Sequence, residues 1–166
     1  MNFATRVIIP GRSFVSYIIE LSTSVKELHY YVHLNKECLV DLQFWLRFLE
    51  SWNGINMFYD NSYTSNYNME LYTDASSTKD YGGYFQGKWF SSSWPNDISS
   101  PKDKHLSMAF LELYPIVVAS LLWGSEWKCE KIFCWCDNEA TVAIVRKGRS
   151  KSIEIMKRVR QLTGML

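Results

Sequence analysis

Cysteine is scarce in this chain, and its placement argues against a disulfide framework. The 166 residues include four cysteines, which are Cys38, Cys129, Cys134 and Cys136. Cys134 and Cys136 fall on one face of a predicted strand, where they are poorly placed to bridge each other. Their spacing matches no standard zinc pair and no histidine lies close, so we expect core cysteines rather than zinc ligands. Reduced thiols favour an intracellular protein, in the cytoplasm or the nucleus.

The chain also has little net charge, and we expect no targeting segment. Its formal net charge is +1, which by itself predicts no class of partner. The apolar stretch Val7-Ile8-Ile9 is short and ends at Pro10, so we expect no signal peptide. The run at 108–124 approaches the length of a membrane span but contains Glu112 and Pro115. We interpret it as a helix buried in a globular domain and expect no membrane partner.

Apolar and aromatic residues, by contrast, are abundant. Hydrophobic residues make up 47% of the chain and aromatic residues 16%, which is typical of a folded protein rather than a disordered one. The length suits one full core with an appended helical piece. The pattern changes near residue 60, because helical periodicity precedes it and strands come after it. Residues 60–68 are rich in Asn, Ser and Tyr, which predicts a linker.

Two helices are predicted before this linker. Pro10 suits a first helical turn, and the apolar residues up to Leu21 share one face. Asn35 is a good N-cap for the second helix, in which apolar residues recur at helical spacing over 39–52, and Gly54 would end it. This apolar face is wide, so we expect the helix to pack on a large surface.

The second part of the chain alternates strands and helices in the order β-β-β-α-β-α-α. The predicted strands cover 69–74, 81–86, 88–94 and 131–137, and the predicted helices cover 106–124, 139–147 and 152–162. Gly87 predicts a hairpin turn, and the pair Gly82-Gly83 predicts a bulge or a close backbone approach. Three sequential strands can form an antiparallel meander, and a helical crossover then makes the fourth strand parallel to the first. We therefore predict an α/β fold with a mixed sheet.

Three carboxylates lie in or beside apolar segments of this part. Asp74 ends the first strand, Glu112 interrupts the apolar helix, and Asp137 closes the fourth strand. The predicted topology puts Asp74 and Asp137 at the same end of neighbouring strands, within reach of the inner side of the helix. Each acid alone also has a structural interpretation, such as a turn or a helix cap. Together they predict a site for divalent cations, because buried acids are costly unless paired or bound to cations.

Such a site suits phosphodiester hydrolysis. The reaction needs an activated water and relief of charge on the phosphate and the leaving oxygen, and two divalent ions about 3.5–4 Å apart can supply all of these. Hard divalent ions prefer oxygen ligands, so aspartate and glutamate are sufficient.

The motifs around these acids are Tyr72-Thr73-Asp74-Ala75-Ser76, the glycine-rich hairpin 81–90, the helical segment 111–117 and the segment 136–142 that begins Cys136-Asp137-Asn138. They resemble type 1 ribonuclease H, and in detail the ribonuclease H domain of DIRS-type retroelement reverse transcriptases. The segment 2–12 is similar to the region after the polymerase in those elements, at its thumb or connection. The resemblance covers nearly the whole chain.

This resemblance implies a ribonuclease H-like fold and metal-dependent cleavage of the RNA strand of an RNA–DNA hybrid, as part of a retroelement polyprotein. Asp74, Glu112 and Asp137 would be the catalytic metal ligands, for two Mg²⁺ or Mn²⁺ ions. Residues 1–60 would be a helical connection segment from the end of a reverse transcriptase, and 66–166 the ribonuclease H-like domain. The expected partners are an RNA–DNA hybrid or other nucleic acid and an upstream reverse transcriptase domain.

The chain departs from this family in lacking its fourth acid. The family places an aspartate near the start of a later helix, whereas only Glu139 and Glu154 come after Asp137 here. We therefore expect a domain that is incomplete at its C-terminus. The alternative is a truncated or domesticated, catalytically inactive fragment that binds nucleic acid. Integrases and transposases share the fold, but their acids run Asp, Asp, Glu, unlike the Asp, Glu, Asp order here. No Tyr-x-Asp-Asp motif is present, so the chain is not itself a polymerase.

The remaining polar and aromatic features leave alternatives open. The hairpin aromatics Trp89, Phe90 and Trp94 are either core residues or stacking surfaces for bases, and we expect His105 to be solvated. Basic residues concentrate late in the chain and form either a solvated helical face or a surface for phosphates. They are Arg146, Lys147, Arg149, Lys151, Lys157, Arg158 and Arg160.

Overall fold

The chain forms two compact units, Met1–Tyr59 and Asp60–Leu166. The computed structural model describes residues 10–27, 29–51, 69–99, 106–127 and 130–165. The predicted linker 60–68, the predicted helix end at Gly54, Cys129 and His105 therefore lie outside the described residues. That the first unit is a reverse transcriptase connection segment stays a prediction.

The described elements alternate much as the sequence predicts. The helices are α1 (Ser16–Thr23), α2 (Lys36–Ser51), α3 (Asn96–Ser99), α4 (Met108–Trp123), α5 (Glu139–Lys147) and α6 (Ile153–Met165), and the strands are β1 (Glu70–Ala75), β2 (Asp80–Phe85), β3 (Lys88–Ser93) and β4 (Phe133–Trp135). Short 3-10 helices cover Pro10–Phe14 and Gly124–Trp127.

The described part of the first unit is a small helical cluster centred on α2. Asn35 caps this helix as predicted, since its side-chain oxygen accepts a hydrogen bond from the Cys38 N–H at 2.8 Å. Trp45 is buried and its indole donates to the Phe14 carbonyl at 2.7 Å. The wide apolar face of α2 is only partly buried, because Leu46 and Leu49 are exposed.

The second unit is an α/β domain built on a mixed sheet of four strands in the order β3-β2-β1-β4. The first three strands form an antiparallel meander, and β4 lies parallel to β1. This agrees with the predicted topology. The predicted bounds of β4 are wrong, because the strand ends at Trp135 rather than at Asp137. The chain leaves the sheet there to begin α5, which Asn138 caps by accepting from the Thr141 N–H at 3.0 Å.

Helix α4 supplies more core residues than any other described element and packs on β1 and β2 on one face of the sheet. Its start is two residues later than predicted, because Ser107 caps it by accepting from the Phe110 N–H at 3.3 Å. The stretch Met108–Trp127 is apolar and long enough to cross a membrane, yet 61% of its most apolar window is buried in the protein. The helix therefore serves as a core element, as predicted from Glu112.

The exposed face of the sheet carries a row of aromatic side chains, of which the sequence analysis had singled out only Trp89. Cross-strand register aligns Trp89, Tyr84, Tyr72 and Trp135 on the four neighbouring strands, and each is exposed. Tyr72 stacks on Trp135 with ring centroids 6.2 Å apart. Phe90 points the other way and packs on the core. Side chains alternate between the two faces along β3, so Trp89 and Phe90 point to opposite faces of the sheet. This alternation was the sequence signal for their different environments.

The β2–β3 hairpin depends on two kinds of glycine. Its turn places Gln86 and Gly87 at φ of 49° and 80°, the left-handed region that a tight hairpin requires. Gly82 and Gly83 lie in β2, where the strand register is continuous without a bulge. A Cβ at Gly82 would lie 2.9 Å from the Phe90 carbonyl oxygen. The predicted close backbone approach is therefore correct and the alternative bulge is not.

We expect Gly82→Ala to lower the free energy of unfolding by about 1–3 kcal/mol, because the new methyl group meets a neighbouring strand's backbone. The control is Gly124→Ala, where a Cβ would meet nothing within 4 Å and the backbone φ of −58° suits alanine. It should change stability by less than about 1 kcal/mol. Urea unfolding followed by tryptophan fluorescence measures both; equal losses in the two variants would contradict the packing argument.

Candidate metal site at the end of the parallel strands

The two aspartates lie at the same end of the parallel strand pair. The register aligns Tyr72 of β1 with Trp135 of β4, so Asp74 and Asp137 each come two positions after an aligned residue. Both are exposed. Asp74 makes a local hydrogen bond, its Oδ1 accepting from the Ala75 N–H at 2.9 Å.

Glu112 approaches this end of the sheet from α4. Its side chain is 2% exposed, and its Oε2 is buried without a hydrogen-bond partner. Burial raises the pKa of Glu112 to about 7, and the negative charges of Asp137 and Asp74 contribute to the rise, against the opposing effect of the Ala75 N–H. A buried carboxyl group with an orphaned oxygen and two acidic neighbours is an unfavourable arrangement unless a cation or a proton compensates it.

Cys136 joins two of the three acids. Ligand atoms of Glu112, Cys136 and Asp137 all lie within 4.8 Å of one another, and Asp74 is outside this group. The predicted convergence is thus reached by Glu112 and Asp137, while Asp74 contributes its charge. The prediction that Cys134 and Cys136 are core cysteines is wrong for Cys134, which is exposed, and Cys136 is half-buried.

The thiol of Cys136 is half-buried in this group. Its Sγ lies 3.9 Å from the Asn138 carbonyl oxygen, to which it donates. Burial raises the pKa of the Cys136 thiol, and the Glu112 and Asp137 charges add to the rise against this hydrogen bond. The i, i+1 spacing of Cys136 and Asp137 at a strand end was the sequence signal for this neighbour.

A capped helix fixes the segment that carries Asp137. Thr141 in the first turn of α5 is fully buried and donates to the Ala109 carbonyl at 3.2 Å. The same hydroxyl lies 3.2 Å from the Asn138 Oδ1. These bonds join the residue after Asp137 to the first turn of α4, three residues before Glu112. The two acids are therefore held by connected backbone elements.

A cleft beside Asp137 is also lined by basic residues. It is lined by Cys136, Asp137, Glu139, Val142, Ala143, Arg146 and Lys147. Of the late basic residues, Arg146 and Lys147 thus line this cleft. Arg158 is half-buried and packs on aromatic rings, with its guanidinium 4.9 Å from the Tyr114 ring centroid and 5.8 Å from that of Phe110. Glu154, one of the two acids that follow Asp137 in the sequence, lies on α6 with its Oε2 3.8 Å from the Lys157 Nζ.

The donor chemistry fits a divalent cation. The unpaired Oε2 of Glu112 is a buried acceptor in need of a positive charge, and Asp137 adds a second hard oxygen donor. Asp74 is the remaining predicted ligand for the second expected ion.

Comparisons of this chain with protein-family models, curated proteins and solved structures find no match. Its function must therefore be inferred from the chain's own residues.

Proposed function

We propose that this chain is a metal-dependent nuclease with a ribonuclease H-like fold, which hydrolyses the RNA strand of an RNA–DNA hybrid as part of a retroelement polyprotein. The observation that carries this proposal is the buried carboxyl group of Glu112, whose Oε2 has no hydrogen-bond partner, beside Asp137 and Asp74 at the carboxyl ends of two parallel strands. The Asp, Glu, Asp order on strand, helix and strand end distinguishes it from an integrase.

Glu112 and Asp137 would hold a Mg²⁺ or Mn²⁺ ion, and Asp74 would complete the site for the second. Bound divalent ions would polarise the scissile phosphate and lower the pKa of an attacking water. Glu112 contributes a buried, fixed carboxylate whose neighbours favour cation binding. Asp74 and Asp137 are exposed, so they can meet a substrate phosphate and the ion at the protein surface. An upstream reverse transcriptase domain would deliver the hybrid.

The cleft of Arg146 and Lys147 supports a role in holding the hybrid. Both cations line the cleft that contains Asp137, where they would contact backbone phosphates beside the scissile bond. Such contacts neutralise phosphate charge without reading sequence, which suits an enzyme that acts on any hybrid.

We expect the double variant Arg146→Gln, Lys147→Gln to weaken hybrid binding and to reduce the slope of log affinity against log salt by about 1 per lost phosphate contact. The matched control is Lys88→Gln, which removes a cation that is paired with Glu126 at 2.6 Å. Fluorescence anisotropy in a salt series, in Ca²⁺ or EDTA, measures binding without turnover. An unchanged slope in the double variant would remove the cleft from the substrate path.

The direct test is incubation of the protein with a strand-labelled RNA–DNA hybrid in Mg²⁺ or Mn²⁺. The proposal expects fragments of the RNA strand only, an intact DNA strand and no cleavage in EDTA.

A second candidate is the inactive nucleic-acid-binding fragment. It is favoured by Asp74 lying outside the close donor group. Hybrid binding with no cleavage in either metal would select this candidate.

A further inference from the structure

The close donor group of this site is not purely oxygen. The atoms within 4.8 Å of one another belong to two carboxylates and one thiol, those of Glu112, Asp137 and Cys136. Mg²⁺ does not select a thiol ligand, because it is a hard cation that prefers oxygen ligands. Zinc and cadmium bind thiolate and carboxylate together.

We propose that Glu112, Cys136 and Asp137 form a binding site for a thiophilic divalent cation of the zinc class, with Cys136 as the ligand that selects it. The orphaned oxygen of Glu112 is the second observation behind this assignment. Oε2 is buried without a hydrogen-bond partner, on a side chain that is 2% exposed. A cation among the three donors would satisfy it.

The dimensions suit a zinc ion after a small contraction. Zn–S bonds of about 2.3 Å and Zn–O bonds of about 2.0–2.2 Å put donors of a tetrahedral site roughly 3.3–3.7 Å apart. The three donors here lie within 4.8 Å of one another, so rotation of the exposed Asp137 side chain can close the gap. Three protein ligands leave a fourth position for water. On binding, the Cys136 thiol releases its proton to solvent and the thiolate joins the ion.

The buried position of Glu112 gives this site a defined scaffold. The first turn of α4, the helix that carries Glu112, is connected to the segment after Asp137, because the Thr141 hydroxyl donates a hydrogen bond to the Ala109 carbonyl. Cys136 and Asp137 are adjacent in the chain and enter the site together. A site with two of its donors on one backbone segment loses less conformational freedom on binding an ion.

Zinc at this site would also affect the nuclease, and this expectation rests on the proposed function. Zinc would occupy Glu112 and Asp137, which are also the proposed ligands of Mg²⁺. We therefore expect micromolar zinc to inhibit hybrid cleavage in millimolar Mg²⁺, and expect Cys136→Ser to relieve this inhibition.

Cobalt titration tests the metal site itself without any activity. Metal-free, reduced wild-type protein should develop a near-ultraviolet thiolate-to-cobalt charge-transfer band on adding Co²⁺, and zinc should displace it. Cys136→Ser should lose the band, and its zinc affinity should fall at least about 10-fold. The matched control is Cys134→Ser, which removes a neighbouring exposed thiol and should keep the band.

The readouts separate the possible outcomes. A band that persists in Cys136→Ser, or that disappears in Cys134→Ser, overturns the proposal. If Cys136→Ser fails to fold, alkylation of the wild-type protein decides: zinc must protect Cys136 but not Cys134 from iodoacetamide, as read by mass spectrometry. Absence of that protection overturns the proposal as well. A cobalt band without hybrid cleavage would reject the proposed function alone, and cleavage without the band would reject this inference alone.

Discussion

Asp74→Asn is expected to lower Mg²⁺-dependent cleavage of an RNA–DNA hybrid by at least about 100-fold, since a ligand that stabilises charge at a metal centre is worth several kcal/mol. The fold should survive. Asp74 is exposed, and its local hydrogen bond from the Ala75 N–H is one that an asparagine oxygen also accepts. Initial rates with a labelled hybrid, beside the free energy of unfolding in urea, measure the two effects separately.

The matched control is Asp80→Asn, which makes the same change of charge at an exposed residue at the start of β2. It lies outside the donor group and should retain full cleavage. Equal activity of Asp74→Asn and the wild type would show that Asp74 is not a metal ligand. It would leave Glu112 and Asp137 as the acids that hold the ion.

The order of elements was predictable from the sequence because local signals agree with tertiary structure in this domain. Glycine and asparagine mark the hairpin turn and the α5 cap, and the apolar run of α4 is long enough to identify a core helix. The right-handed crossover rule then fixes β4 beside β1. The ends of elements were less predictable, because capping residues determine them. The Ser107 cap makes α4 begin two residues later than predicted, and β4 ends early because the chain leaves the sheet to form the α5 helix that Asn138 caps.

The composition of the site was only partly predictable. Register gives the alignment of Asp74 with Asp137, and an acid in an apolar helix indicates Glu112. Neither signal says which donor atoms come closest. That depends on where β4 ends, because a strand running on to Asp137 would fix the positions of Cys136 and Asp137 by alternation. The early end at Trp135 frees this segment, and the thiol joins the acids.

The aromatic row shows the same limit. Tyr72, Tyr84 and Trp89 each obey alternation in the sequence, but their alignment depends on the register between strands. The Gln86-Gly87 turn sets that register for the hairpin. A pattern on one strand therefore predicts which face a side chain occupies, and only the turn geometry predicts which neighbour it meets.

Glu112→Gln is expected to stabilise the metal-free protein at alkaline pH while abolishing cleavage. The folded-state pKa of Glu112 is raised from 4.5 to about 7, so the folded protein holds more protons than the unfolded chain between these values. Stability must therefore fall as pH rises from about 4.5 through 7, because ionised Glu112 is costly in the fold. Glutamine removes this cost and keeps an oxygen for the Ala75 N–H.

In EDTA at pH 8 the variant should exceed the wild type in unfolding free energy by on the order of 2 kcal/mol, and at pH 4.5 the two should be nearly equal. Urea denaturation at both pH values measures the difference. The matched control is Glu126→Gln, an exposed glutamate that is paired with Lys88 and should show no such pH dependence.

Adding Mn²⁺ at pH 8 should reverse the order of stability. The ion needs the ionised Glu112 carboxylate, so it should raise the unfolding free energy of the wild type and leave that of Glu112→Gln nearly unchanged. The same carboxylate would then destabilise the metal-free fold and hold the ion in the loaded one. A variant that gains no stability at pH 8 in EDTA would show that Glu112 is already neutralised in the folded protein by another group. A variant that still binds Mn²⁺ would place the ion elsewhere.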